Sequence, residues 1–347
     1  MKTLRFMVFA LATIVYANLG CVFSGIGTRC ANAAPVSYIY TGKIAIPNYG
    51  ADVTSMPWAI ALKKGFFNEE GIDITGIIGS GGGSSDVRNL IAGNLIYAES
   101  AVIPVLKAIR AGSNLEMISE NGQTLSDFVW ITRKNSSINS LEDLKGKRIS
   151  FTTPLSDSQL MDEALVQKAK LNNDQVQLIA TGAFGAALTA LQSGGVDVAI
   201  ITEPVYSLNK GTFKTLVWAW NVFPAMANVV GVTSAADEKK YPNVLRGILA
   251  AHQKAVQFMD NNPKESAKII APIYHMPVAL VEGVMKELLQ RRSTDGLPFY
   301  SEGDFDDSGM TRLISTAYST GILKENINWR LYVDQEFLPK ELQRNLN

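Results

Sequence analysis

The segment IIGSGGGSSDVRNL, at residues 77–90, places glycines and serines between an apolar run and a helix-like run. Loops of this kind often bind phosphate, because glycine lets the backbone approach a ligand and free N–H groups at a helix start favour negative charge. A Walker loop needs a lysine, and this loop contains none. The spacing G-x-G-x-x-G also fails, because Ser84 and Asp86 occupy the sixth positions counted from Gly79 and Gly81. The segment therefore indicates a loop whose backbone faces some other ligand; a plain surface turn is the alternative.

Groups for metal binding and covalent catalysis are scarce in the sequence. Its two cysteines are Cys21 and Cys30, and its two histidines, His252 and His275, lie in helix-like regions. No H-x-x-H or H-E-x-x-H pair is present to bind zinc. We therefore expect no catalytic residue, no metal site and no cofactor.

The N-terminus has the pattern of an export signal. Basic residues precede a long uncharged apolar stretch, and Ala31-Asn32-Ala33 follows the small-x-small rule for signal-peptidase cleavage. We expect a signal peptide over residues 1–33 and a periplasmic location. An uncleaved anchor is the alternative, since the apolar stretch is nearly long enough to span a bilayer. Lipidation at Cys21 is a weaker alternative.

The charge balance argues against a nucleic-acid partner, which would require a basic excess. The chain carries 32 basic and 32 acidic side chains. Removing residues 1–33 takes away Lys2, Arg5 and Arg29 and leaves a net charge of −3. It also removes both cysteines, and a chain of this length has a core large enough to need no disulfide.

Strand-like and helix-like runs alternate along most of the chain. The runs GKIAIPN, IDITGIIG, LIYAES and LEMIS are separated by helix-like segments, which is typical of βαβ crossovers in a parallel sheet. A second unit follows, in which KRISFTT, VQLIA and VDVAIIT precede predicted helices at 157–171, 184–193 and 204–209. From Ala235 onward the pattern is mainly helical. The predicted fold class is α/β, with two parallel-sheet domains.

Two strand-like segments lack a helix directly after them and are predicted to cross between the domains, at 127–134 and 218–231. Domain 1 is then discontinuous, over residues 34–127 and 228–347, and domain 2 covers residues 134–222. Two crossings form a hinge and leave a cleft between the domains.

Loops at the carboxyl ends of the strands should surround this cleft, because open α/β sheets bind ligands at that edge. Gly81, Gly82 and Gly83 would bring backbone close to a ligand, and Ser84 would cap the following helix.

The segment TTPLSDSQ supplies a second polar loop. Ser156 and Gln159 have the spacing of a capping box, and the hydroxyls of Thr153, Ser156 and Ser158 can reach a ligand. Asp157 opposes an anionic ligand, since its carboxylate competes for the same helix N–H groups.

Aromatic residues beside these loops are candidates for a ligand wall. Trp58 and Phe184 are the best placed, with core packing as the alternative for each. Glu203 either faces the cleft or caps the helix that begins at Pro204.

Four segments together resemble the extracytoplasmic solute-binding proteins of ABC importers. These segments are MPWAIALKKGFFNEEGIDI, GSGGGSSDVRNLIAGNLIYAES, INSLEDLKGKRISF and ALQSGGVDVAIITEP, and the match runs through residues 40–235. The branch is the one that serves nitrate, taurine and alkanesulfonates, and thiamine-pyrimidine precursors. The resemblance implies a type II periplasmic-binding fold that closes on one small solute, works as a monomer and delivers the solute to a membrane permease.

By position, the resemblance places ligand-contacting loops at 48–55, 80–84, 99–100, 153–159 and 181–184, and at Glu203. The candidate ligand-binding residues are therefore Asn48, Tyr49, Ser55, Trp58, Ser80, Gly81, Gly82, Gly83, Ser84, Glu99, Ser100, Thr153, Ser156, Asp157, Ser158, Gln159, Thr181, Phe184 and Glu203.

The segment TTPLSDS departs from the Gly-Ser-rich anion cradle common in nitrate and sulfonate binders, which argues against a simple inorganic anion. A small organic solute, anionic or heteroaromatic, is expected instead. Aromatic carboxylates, sulfonates and pyrimidines all stay open. The alternative function is an enzyme on the same fold, of the dehydratase or pyrimidine-precursor synthase type.

Overall fold

Strands and helices alternate in the computed structural model, which describes residues 38–80, 83–93 and 95–346. The predicted signal peptide, Gly81 and Gly82 lie outside the described residues. The strands are β1 Tyr40–Pro47, β2 Ile72–Ser80, β3 Ala98–Ala101, β4 Leu115–Gly122, β5 Phe128–Arg133, β6 Arg148–Phe151, β7 Gln177–Ala180, β8 Val198–Thr202, β9 Phe213–Trp218, β10 Val229–Ser234 and β11 Tyr300–Gly303. The helices are α1 Met56–Lys64, α2 Phe66–Glu69, α3 Gly83–Ala92, α4 Val102–Arg110, α5 Asp157–Lys168, α6 Phe184–Ser193, α7 Val205–Leu208, α8 Ala219–Val222, α9 Ala235–Lys240, α10 Pro242–Asn261, α11 Pro263–Tyr274, α12 Val278–Gln290 and α13 Asp307–Ser319.

The strands form two sheets, each of which is the centre of a lobe. The first sheet has the order β11-β4-β10-β3-β1-β2, and the second has the order β7-β6-β8-β5-β9. β1 is parallel to β2 and β3, and β6 is parallel to β7 and β8, as the βαβ pattern predicts. The α/β fold class is confirmed, with one difference. Both sheets are mixed, because β10 and β5 run antiparallel to both of their neighbours.

β5 and β10 are the strands that the chain enters from the other lobe, through connections whose only helix is the one-turn α8. The chain leaves the first sheet through residues 123–127 and returns through residues 219–228. The segment predicted as the first crossing is therefore largely β5. Its residues Val129, Trp130 and Ile131 are fully buried, so the apolar run is a sheet strand and the connection precedes it.

The helices after β10 belong to the first lobe. α10 packs against α1 and β11, and α11 packs against α1 and α12. Among the described residues no single helix is long and apolar enough to cross a membrane, although the bent pair α11 and α12 meets the length and composition test together. The short edge strand β11 lies in a region where the sequence indicated mainly helix.

Gly231 controls the packing of the return strand. It is opposite Glu99 in the β10–β3 ladder, at the centre of the first sheet. A Cβ atom at this position would collide with Ser119 Oγ and with the hydroxyl of Tyr97. The packing of β10, the strand that returns the chain to the first lobe, therefore requires a residue without a side chain at position 231.

Gly231→Ala should lower the free energy of unfolding by about 1–3 kcal/mol, the usual cost of overpacking a core. The control is Gly283→Ala, since Gly283 lies in α12 with no atom within 4 Å of its added Cβ. That change should raise stability by about 0.5–1 kcal/mol through helix propensity. Urea unfolding of both variants measures the effects. Equal stability of Gly231→Ala and the wild type would contradict the packing argument.

Candidate functional site

A cavity of about 200 Å³ lies between the two lobes. Its walls come from both sheets and from both connections, at the ends of strands where the sequence places the polar loops. The first lobe and the connections contribute Pro47, Asn48, Asp52, Thr54, Ser84, Ala101, Pro104, Asp127, Asn228 and Val229. The second lobe contributes Phe128, Thr152, Thr153, Leu155, Ser156, Asp157, Ser158, Gly182, Ala183 and Phe184.

A larger groove, of about 920 Å³, lies elsewhere on the protein. It is lined by residues of α10, the end of α12, β11 and the C-terminal segment, all of which belong to the first lobe. Closure of the lobes would not enclose a ligand there, and none of the polar loops predicted from the sequence reaches it. The smaller interlobe cavity is therefore the candidate site.

Three carboxyl groups line the interlobe cavity, from Asp52, Asp127 and Asp157. Burial raises the pKa of each one, and the nearby Asp52 raises the pKa of Asp127 and Asp157 further. Among the described residues that line the cavity there is no lysine, arginine or histidine. The described part of the cavity wall is thus acidic, with no opposite charge of its own.

Asp157 is the first residue of α5, and Ser156 is its N-cap. The pKa of Asp157 is raised to about 7, because burial disfavours its charged form. Its Oδ1 atom is buried without a hydrogen-bond partner. A carboxyl group at this helix start thus lacks the contacts that normally stabilise a buried charge.

Asp127 lies at the end of the first connection and is 1% exposed. The Nδ2 atom of Asn228, from the second connection, is 3.5 Å from its Oδ1, which is at most a weak hydrogen bond. Burial is the main reason that the pKa of Asp127 is well above its usual value; Arg291 opposes the rise.

Asp52 is better satisfied. Its Oδ1 accepts hydrogen bonds from the backbone N–H and hydroxyl of Thr54, at 3.0 and 3.1 Å, and so caps a short 3-10 turn. Burial nevertheless outweighs these bonds and raises the pKa of Asp52.

Hydroxyl groups cover the second-lobe side of the cavity. The Oγ atoms of Ser156 and Ser158 are 2.8 Å apart, and the hydroxyl of Thr152 bonds to both. Ser158 Oγ also accepts from the N–H of Thr152, and Ser156 Oγ from that of Gln159. The hydroxyls therefore bond to one another and to the backbone, which holds the loop in one shape.

Two aromatic rings form the apolar part of the wall. Phe184 begins α6, and its ring meets the ring of Phe128 edge-on, with 6.0 Å between their centroids. Asn48 and Leu155 line the cavity with positive φ angles of 48° and 69°. Such a conformation is uncommon for a side chain as large as leucine, and backbone strain of this kind concentrates at ligand sites.

Seven of the residues predicted from the sequence line the cavity. They are Asn48, Ser84, Thr153, Ser156, Asp157, Ser158 and Phe184. Gly83 begins α3. Gly81 and Gly82 lie outside the described residues.

The structure places Trp58 and Glu99 in the core of the first lobe, away from the cavity. Both are fully buried, and Trp58 Nε1 donates to Glu99 Oε2 at 2.7 Å. Asn121 donates to the same oxygen at 2.8 Å. Burial raises the pKa of Glu99 to about 8, so the group is largely neutral near pH 7.

Glu203 is fully buried at the end of β8 and does not line the cavity. Its carboxylate accepts hydrogen bonds from the N–H and the hydroxyl of Ser207 and lies 3.8 Å from Arg291. The capping alternative therefore describes Glu203 better than the ligand-facing one.

The other predicted residues make contacts within a lobe, and none lines the cavity. Ser55 bonds to Tyr274, Ser80 donates to Asp86, and Ser100 donates to a backbone carbonyl. Gln159 Oε1 accepts a hydrogen bond from the N–H of Leu155, and the hydroxyl of Thr181 donates to the carbonyl of Phe151. Tyr49 is the remaining predicted residue that does not line the cavity.

Sequence reasoning did not select Asp52, Thr54, Asp127, Phe128 or Asn228. Asp52 and Thr54 lie inside the predicted ligand-contacting loop 48–55. The sequence thus locates the loop but does not identify these two side chains as part of the cavity wall. Asp127 and Asn228 lie at the predicted domain boundaries. Residues at the two crossings must border any interlobe cleft, so this position is the sequence signal that could have identified both as wall residues.

Asp157→Asn should raise the melting temperature more at pH 8 than at pH 4. An acid whose pKa is raised on folding contributes stability below its unfolded pKa and loses it as pH rises through the folded value, here about 7. Removing the charge should therefore add at least about 2–4 °C at pH 8, equivalent to roughly 1 kcal/mol in a protein of this size. Asp174→Asn, at an exposed position, is the matched control. A gain that is equal at both pH values would contradict this account of Asp157.

Two relatives have names that describe aliphatic sulfonates-binding proteins. One, from Escherichia coli (strain K12), is 24% identical over 201 residues, which is 57% of this chain and 62% of that protein. The other, from Bacillus subtilis (strain 168), is 25% identical over 343 residues, which is 96% of each chain. The chain thus spans less than two thirds of the first relative and nearly all of the second.

Solved structures with the same fold include the periplasmic aliphatic sulphonate binding protein SsuA from Escherichia coli. Its TM-score is 0.70 at 17% identity, and the match covers 87% of this chain and 93% of that one. The desulfurization enzyme DSZB matches with a TM-score of 0.62 at 16% identity, over 86% of this chain and 97% of its own. At such identities the likeness shows the fold, which is that of periplasmic binding proteins and is also found in an enzyme.

A family model described as NMT1/THI5 like matches residues 53–266, which is more than half of the chain. This match includes the first-lobe helix α1, both connections and the whole second sheet. The protein belongs to the NMT1/THI5-like family and has its bilobal α/β fold.

Proposed function

We propose that the protein is the solute-binding component of an ABC-type importer, and that it binds one small organic solute in the interlobe cavity for delivery to a membrane permease. The observation that carries this proposal is the composition of the cavity wall, which comes from both lobes and both connections. A ligand that contacts both lobes favours the arrangement in which they are closed around it. The names of the relatives support the same role.

The two connections give the proposed closure a mechanical basis. They join the lobes at residues 123–127 and 219–228, and bending there changes the distance between Asp52 in the first lobe and Asp157 in the second. A solute held between these side chains would be enclosed by the movement. The closed form would then be the one that the permease recognises.

Binding without turnover is proposed because the side chains suit it. The described wall offers carboxyl, hydroxyl and aromatic groups, and among those residues there is no cysteine or histidine to act as nucleophile or base. His252 is buried in the first lobe, where its ring lies 4.7 Å from that of Trp58. The enzyme alternative is therefore less well supported, although one structure with this fold is an enzyme.

The proposed setting is the periplasm. Export through a signal peptide over residues 1–33 follows from the sequence pattern, and the named relatives and structures include periplasmic binding proteins. The proposed partners are the solute and the membrane permease, with a single protein chain binding each solute. No feature of the charge balance favours a nucleic acid.

Ala183→Trp should weaken solute binding at least about tenfold, or 1.4 kcal/mol, because the indole would fill the cavity. Ala183 lines the cavity and is exposed, so the fold should tolerate the change. The matched control is Ala186→Trp, because Ala186 is an exposed residue in the first turn of α6 that does not line the cavity. This variant should bind the solute with wild-type affinity. A thermal-shift screen of sulfonates, carboxylates, pyrimidines and amines identifies the solute, and calorimetry measures its affinity.

Chemical conversion of the bound compound, detected by mass spectrometry, would overturn the binding function in favour of the enzyme. Unchanged affinity in Ala183→Trp would place the ligand outside the interlobe cavity. Loss of binding in both tryptophan variants would indicate a disturbed α6 rather than a blocked site.

A further inference from the structure

We propose that the solute is a small organic cation, an ammonium or amidinium compound, whose positive nitrogen lies among the carboxyl groups of Asp52, Asp127 and Asp157. The inference rests on the proposed solute-binding function and names the chemical class of the solute. It departs from the anionic or heteroaromatic solute expected from the sequence.

The first observation is that the cavity has acidic groups and lacks basic ones. Its described lining contains three aspartates and no lysine, arginine or histidine. Arg291 is the cation that most affects Asp127, but its guanidinium group lies 3.8 Å from the ring centroid of Trp220 and 3.8 Å from the Glu203 carboxylate. That arginine is therefore already engaged outside the cavity.

The second observation is that Asp127 and Asp157 have few hydrogen-bond partners. Asp157 Oδ1 is buried with no hydrogen bond, and Asp127, 1% exposed, has a bond from its own backbone N–H and the distant amide of Asn228 beside it. Buried carboxyl groups normally have hydrogen bonds or a counter-charge. A positive group on the solute would supply both to these two side chains.

Asp197 of the second lobe shows what a counter-charge does to a carboxyl group of this chain. Asp197 accepts hydrogen bonds from Arg148 at 2.9 and 3.0 Å and lies 3.4 Å from Arg133. These contacts lower its pKa to about 2. No described residue of the cavity wall supplies such a counter-charge to Asp127 or Asp157, and Arg291 offsets only part of the effect of burial on Asp127.

Helix starts at the cavity act in the opposite direction. α3, α4, α5 and α6 all begin at residues of the cavity wall, and each helix N-terminus carries roughly half a positive charge, which favours an anion. Asp157 already occupies the start of α5, and the hydroxyl of Ser156 accepts from the N–H of Gln159. A bound cation would lower the pKa of the three carboxyl groups, and their three negative charges would then exceed the roughly two positive charges of the four helix starts, so the balance favours a cation.

The apolar part of the wall fits the body of such a solute. Phe128 and Phe184 present an edge-to-face pair, and aromatic rings attract organic cations as well as apolar groups. A cavity of about 200 Å³ has room for one small ring or a short chain. An arylalkyl amine or amidine therefore fits the wall better than a sulfonate does.

The test uses two matched sets of probes that differ in charge. Benzylamine, benzamidine and 1,4-diaminobutane form the cationic set, and benzenesulfonate, benzoate and butanesulfonate form the anionic set. We expect the cationic set to raise the melting temperature of the full mature chain, with no rise from the anionic set. A rise from the anionic set alone would overturn the inference while leaving the proposed solute-binding function intact. No rise from either set would count against both.

Asp127→Asn separates the charge effect from the shape of the cavity. It should weaken binding of the stabilising cation at least about tenfold, while the free variant melts at or above the wild-type temperature because a buried acid is removed. Asp174→Asn, exposed and remote, should bind like the wild type. Tighter binding of an anionic probe, with unchanged cation binding in Asp127→Asn, would show that the carboxyl groups oppose the natural solute and would overturn the inference.

Discussion

The rest of the structure depends on the chain crossing twice between its lobes. The strands that follow the crossings, β5 and β10, lie inside their sheets and are antiparallel to the neighbours on both sides. Ladder hydrogen bonds on both edges therefore fix where each crossing ends. Asp127 and Asn228 are the residues immediately before these strands, and both reach the cavity. The two connections and the candidate site are thus built from adjacent residues, so the proposed movement of the lobes would change the shape of the site.

The electrostatics of the site follow from this position. Residues at the crossings and at the strand ends are shielded by both lobes, and shielding disfavours the charged form of a carboxyl group. The surroundings raise the pKa values of Asp52, Asp127 and Asp157, whereas the arginines beside Asp197 lower its pKa. Proteins commonly retain such locally unfavourable groups where a ligand will contact them. The proposed cationic solute would therefore account for an acidic cavity that the stability of the empty fold does not explain.

Much of the fold could be predicted from the sequence, because alternation of strands and helices is a local signal. The predicted helix 184–193 agrees with α6, and the capping pattern at Ser156 correctly marks the start of α5. The side chains that face the cavity could not be predicted equally well. In β3, A-E-S-A, a shift by one residue exchanges the face on which Glu99 lies, and the sequence does not fix that choice. Trp58 likewise lies beside a predicted loop but points into the core.

Similarity of fold and identity of the solute depend on different parts of the chain. The bilobal architecture rests on the sheets, the crossings and dozens of buried apolar residues, which is why it persists in structures of about 17% identity. The charge of the cavity rests on a few side chains at strand ends, which can change with little effect on that core. Asp157 illustrates the point. The N-cap of α5 is Ser156, so the cap does not depend on the side chain at position 157. Asp157 nevertheless occupies the helix N-terminus, where an anion would otherwise be favoured. One residue at that place would, under the proposal of a cationic solute, change the preferred charge of the ligand while the loop and helix keep their shape. The names of the sulfonate-binding relatives therefore carry less weight for the solute than the charge of this wall does.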